Sequence, residues 1–167
     1  MTNKFWIINL VLFQLAWFCC ALLTTHASWI LPCIIALHFL FSPKKSADLK
    51  LCIIALSGVI IDFCLMQFQV INFASPTFPL WLVCLWLIFT ISLNHSLAWL
   101  NKFKLWQISL LGAISGASSY LAAIKIGAIN TPLSLIDISA TYVVVWALLL
   151  PCMILFQRRV VLLNTSH

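Results

Sequence analysis

The chain of 167 residues is short of charge. Only 7% of it is Asp, Glu, Lys or Arg, against about 25% in an ordinary soluble domain. No polar stretch is long enough to fold as a separate soluble domain, and no glutamate occurs at all. The motifs of familiar chemistry are missing as well. There is no H-E-x-x-H, no G-x-S-x-G elbow and no nucleotide-binding glycine loop. Seven cysteines are present, yet none forms a C-x-x-C pair. All seven lie in or beside apolar runs, where free cysteine acts as a small buried hydrophobe. Zinc or redox chemistry at those cysteines would need ligand spacing that is absent.

What is present is apolar. Hydrophobic residues make up 64% of the chain, and its mean hydropathy is +1.14. No soluble fold of this size hides so much apolar surface, because small domains leave much of their surface exposed. Lipid must be the solvent. The net charge of +6 comes from short basic clusters between apolar runs, which offer no continuous face to a nucleic acid. They read as topology signals and lipid-headgroup contacts.

Six apolar runs stand out: 5–23, 28–41, 49–70, 79–100, 105–128 and 133–156. A span needs about 20 residues. The second run is short, with Pro32 in its first turn, where proline is tolerated. The runs are continuous rather than alternating, which favours helices over a barrel. The links TTHA, SPKKSADLK, NFASPTF, NKFK and NTP are short and polar, so sequential helices are expected to be antiparallel neighbours. The expected fold is all-α, a polytopic membrane bundle of about six helices forming one domain over 1–167. Lys4 and the first run loosely resemble a cleaved signal ending near Thr25-His26-Ala27. The run exceeds the usual 7–15 residues of a signal core, so an uncleaved first helix is expected.

Lys4, Lys44, Lys45, Lys50, Lys102, Lys104, Arg158 and Arg159 fall on one side and Lys125 alone on the other. The positive-inside rule makes the crowded side cytoplasmic, with both termini there. Trp6, Trp99 and Trp106 sit near that boundary, and Trp29 and Trp81 near the opposite one.

Charge inside lipid is costly and points to function. Asp62 lies ~20 Å into the third helix at 1.5 Å per residue. It shares a face with Ala55, Gly58, Met66 and Gln69 by 100° stepping. Asp137 lies one turn into the sixth helix with Ser134 and Thr141. The two carboxylates have similar depth, and Asp62, Asp137, Gln69 and Thr141 are the ligand or ion candidates. For Asp137 the plainer role is an anion near a helix N-terminus. Lys125 points away from them and is expected to snorkel outward. Gly112, Ser115, Gly116, Ser119 and Ala123 make a small-residue stripe containing G-x-x-x-G, expected to pack helices within the monomer through Gly112, Gly116 and Ser119. His38 and His95 lie toward the cytoplasmic ends, too far in depth for a catalytic dyad with Asp62 or Asp137. They could pair on a metal but lack a further ligand, so no metal and no cofactor is expected. Asn9, Gln14 and Asn94 read as interhelical hydrogen-bonding groups.

The stretch PLWLVCLWLIFTISLNHSLAWL (79–100), GAISGASSYLAAIKIGAI (112–129), WALLLPCMILF (146–156) and the Gly58-x-x-x-Asp62 pair resemble a small bacterial inner-membrane family catalogued as a domain of unknown function. The resemblance covers nearly the whole chain. Ala123 departs from it, since a glycine is expected after the Ser-Tyr pair. It implies a bacterial cytoplasmic membrane and a single-domain bundle, and no activity. The leading functional expectation is a non-enzymatic protein that binds or passes a small or lipid-like ligand through an outward-facing polar cavity. An accessory subunit recruiting a membrane-protein partner comes second. An intramembrane lipid-acting enzyme comes last, because no nucleophile and base share a depth.

Overall fold

The computed structural model describes residues 4–165, with side chains over 4–159. Backbone groups in lipid must bond within the chain, and these do so as helices. The helices are α1 (Phe5–Leu22), α2 (Thr24–Phe41), α3 (Lys45–Gln67), α4 (Leu80–Ser92), α5 (Leu105–Ile126) and α6 (Leu135–Thr165), with a short 3-10 helix at Ala98–Lys102. Five are long and apolar enough to cross a membrane, and α4 is a shorter apolar helix of 13 residues. Side chains such as Trp29, Phe68 and Ile136, each about four-fifths exposed, form the outer apolar surface of a polytopic helical membrane bundle.

Several boundaries differ from the sequence reading. The TTHA link is helical: only Leu23 leaves the helix between α1 and α2. The Thr24 hydroxyl donates to the Cys20 carbonyl across that joint (2.9 Å). The longer α2 carries Pro32 well past its first turn. The link SPKKSADLK is mostly helix, since α3 starts at Lys45 and takes in Asp48. At the other end α3 stops at Gln67, and Gln69 has a positive φ of 58°. Gln69 is therefore off the α3 face on which helical stepping put it.

The run 79–100 is not one helix. The Thr90 and Ser92 hydroxyls bond back to the carbonyls of Trp86 and Ile88 (3.1 and 2.8 Å). Such bonds compete with the helical ladder. Leu93, Asn94 and His95 then donate to carbonyls three residues back, and the chain tightens into turns. This break points the Asn94 and His95 side chains into the bundle.

α4 packs against α1, α2 and α3, while α6 packs against α3 and most extensively α5. α1 and α5 barely touch. At one end the basic residues gather with the starts of α1, α3 and α5. There Arg158 donates to the carbonyls of Asn101 and Phe103 (3.2 and 2.9 Å). At the other end Asn72 and Asn130 exchange two backbone hydrogen bonds of 2.8 Å, tying the loop after α3 to the loop before α6.

Candidate functional site

Two features stand out: a lateral cavity in the middle of the bundle, and a buried polar cluster at its basic end. The cavity lies where α1 and α5 barely touch. It measures about 490 Å³. Phe13, Trp17, Phe89, Tyr120 and Trp146 are among its lining side chains. Trp81 near the start of α4 and Trp99 in the 3-10 helix also border it, so it runs along most of the bundle. Trp81, expected at a lipid boundary, instead turns inward onto Phe73 with ring centroids 5.8 Å apart. Few polar groups reach the cavity. Trp17 Nε1 donates to Ser119 Oγ (2.7 Å), the one side-chain hydrogen bond between α1 and α5 among the described residues.

Asp62 stands behind the cavity wall, only 1% exposed. Its Oδ2 accepts from Trp86 Nε1 (2.7 Å) and from the Tyr120 hydroxyl (2.5 Å). Both donors line the cavity. One carboxylate on α3 thereby fixes two aromatic walls contributed by α4 and α5. Glycine makes room for them. A Cβ on Gly58 would collide with the Trp86 ring, and one on Gly116 with the Trp146 ring. Trp86 and Trp146 stack with centroids 5.4 Å apart and planes within 16°. Gly112 lets α5 approach the Trp146 carbonyl and Leu150 of α6. Tyr120 stacks on Tyr142 at 3.9 Å, and the buried Tyr142 hydroxyl has no hydrogen-bond partner among the described residues.

The remaining sequence candidates lie elsewhere. Asp137 is exposed in the first turn of α6, where Ser134 Oγ donates to it (2.7 Å). Thr141 donates to the Asp137 carbonyl (2.8 Å). Gln69 is exposed beyond α3. None of the three lines the cavity, and neither aspartate does. The cavity is walled by aromatic side chains, and one carboxylate, Asp62, holds two of them from behind.

The polar cluster centres on Asp48, which the sequence places in the short polar link SPKKSADLK. It is fully buried. Its carboxylate accepts from His38 Nε2 (3.1 Å), His95 Nε2 (2.9 Å), Asn94 Nδ2 (2.7 Å) and the Ser42 hydroxyl. The α1–α2 hairpin returns His38 to the level of Phe5 and Asn9, and the break after α4 delivers Asn94 and His95. Phe5 packs edge-on against both imidazoles, at 5.3 and 4.9 Å. Asn9 Oδ1 accepts from the Ser96 backbone N–H (3.1 Å), which turns its amide nitrogen toward His38 Nδ1 (3.4 Å). That network assigns the His38 proton to Nε2, aimed at Asp48. A buried carboxylate is costly unless hydrogen-bonded, and Asp48 accepts from four side chains. The three ligand atoms of His38, Asp48 and His95 lie within 4.8 Å of one another. Asp48 thus places beside the two histidines a third group of a kind that can ligate a metal.

Fold and site together define a multi-pass helical membrane protein with an internal aromatic cavity and a buried His–Asp–His cluster. The chain belongs to the family described as protein of unknown function (DUF2878), whose match covers residues 6–152. No curated protein and no solved structure matches it.

Proposed function

We propose that this protein holds a hydrophobic, lipid-like molecule in the lateral cavity, as a binding or transfer protein of a bacterial inner membrane with both termini cytoplasmic. The carrying observation is the cavity of about 490 Å³, walled by aromatic side chains and placed at the α1–α5 seam. Ligand pockets run about 300–1,000 Å³ and are mostly apolar with a few placed polar groups. Rigid rings give a chain-like ligand large contact area. Asp62 serves as a positioning group, since it holds Trp86 and Tyr120 in the wall. The orientation is supported by basic residues gathering at the end that carries the polar cluster.

The test uses purified protein in vesicles of phosphatidylethanolamine and phosphatidylglycerol carrying a diazirine-labelled phospholipid. Light should attach label to peptides containing Phe13, Trp17 and Trp146. Ser115→Trp and Ala123→Trp place bulk in the cavity and should reduce that labelling several-fold while leaving the outer belt labelled. Labelling spread evenly over exposed apolar positions, and unchanged by both substitutions, refutes the proposal.

A further inference from the structure

We infer that His38, Asp48 and His95 form a binding site for one divalent transition-metal ion of the zinc class. The inference is independent of the lipid reading, because no residue of this cluster lines the cavity. Three observations carry it. First, the donor set is two imidazole nitrogens and one carboxylate oxygen with their ligand atoms mutually within 4.8 Å. Two histidines and a carboxylate are a recurring set for zinc and non-haem iron, and imidazole is a poor ligand for magnesium or calcium. Second, the set is assembled by three separate elements, the last turn of α2, the first turn of α3 and the turn after α4. All three groups are nearly removed from solvent, with side-chain exposures of 5% for each histidine and 0% for Asp48. Third, further polar groups stand behind the ligands. Asn94 and Ser42 each donate to Asp48, which orients its two oxygens. Asn9 sits at His38 Nδ1.

Loading the site needs no redox step. To ligate through Nε2, each imidazole would carry its proton on Nδ1, and the metal would take the place of the Nε2 protons between nitrogen and carboxylate. The carboxylate charge offsets part of the ion's charge, and a further coordination position is left for water or another ligand.

The experiment takes the full chain, purified in mild detergent on a tag without histidine and stripped with a chelator. Zinc is titrated against a chromophoric competitor, and cobalt is added as a visible probe. Wild type should bind one ion per chain. Replacing an outer-shell partner typically lowers metal affinity about 10–100-fold, so losing a direct ligand should cost at least ~100-fold. His38→Gln and His95→Gln should show that loss, since glutamine keeps a donor toward Asp48 but ligates poorly. His26→Gln, at an exposed histidine, should bind as wild type. His95→Cys supplies a positive readout if the glutamine variants fold badly: its cobalt form should show a thiolate charge-transfer band that wild type lacks. The inference is overturned if folded wild type takes up no zinc, if the two glutamine variants bind like wild type, if His26→Gln abolishes binding, or if His95→Cys shows no such band.

Discussion

Asp62 offers the sharpest test of how the bundle is held. Its Oδ2 is the acceptor for both Trp86 Nε1–H and the Tyr120 hydroxyl, at a point 1% exposed. Asp62→Leu removes the acceptor and leaves two buried donors unpaired. Each such donor costs about 1–3 kcal/mol, so the pair should cost ~2–6 kcal/mol. Asp62→Asn keeps an oxygen where Oδ2 stood. It weakens two hydrogen bonds, and it also relieves the burial of a carboxylate, which offsets the loss. Its net cost should stay near ~1 kcal/mol. Thermal unfolding in detergent, followed by the monodisperse fraction on size exclusion, separates the two. Asparagine should unfold close to wild type and leucine well below it. Equal loss in both variants would mean that the charge, not the acceptor, matters. Wild-type stability in the leucine variant would mean that Trp86 and Tyr120 do not depend on Asp62. Either result refutes the reasoning.

Gly58→Leu and Gly116→Leu should each displace a tryptophan, costing about 1–3 kcal/mol for overpacking and a further ~0.5–1.5 kcal/mol if the Trp86–Trp146 stack is lost. Reduced membrane abundance and earlier unfolding should show it, and two variants of wild-type stability would place both glycines on a lipid face. Alkaline phosphatase inserted after Lys102 should be inactive and after Thr131 active, given the basic clusters at the first end. The reverse pattern would invert the proposed orientation.

Hydropathy carried the helix count because lipid forces long apolar runs into helices. It could not place α4's end. Thr90 and Ser92 are compatible with a membrane helix, and their back-bonding marks the end of α4 only together with the hydrogen bonds that Asp48 and Asn9 accept from Asn94, His95 and Ser96. On α3, Ala55, Gly58 and Asp62 are all buried, as a face stepped by 100° requires, but the stepping cannot know that the helix stops before Gln69. Asp48 was illegible for another reason. Among SPKKSADLK it has the company of a solvated loop, and its burial comes from the α1–α2 hairpin and the turn after α4 closing over it. The histidines were visible in sequence at the right depth, while the carboxylate between them was masked by its neighbours.

Lipid tails are as apolar as leucine, so helix association in a membrane rests on close packing and polar contacts rather than on a hydrophobic drive. The two buried aspartates supply much of that here. Asp48 draws together α2, α3 and the turn after α4, and α1 joins through Asn9 and Phe5. Asp62 joins α3 to α4 and α5. Gly112 and Gly116 fit α5 closely to α6, and the Ser109 hydroxyl donates to the Ala147 carbonyl between them (2.5 Å). The seam between α1 and α5 has no aspartate and no glycine contact of this kind. It is spanned by the Trp17–Ser119 hydrogen bond, worth about 1 kcal/mol if typical. The cavity thus opens at a seam with few contacts. A ligand entering from the bilayer would displace one hydrogen bond there, and both aspartate-centred networks could stay in place.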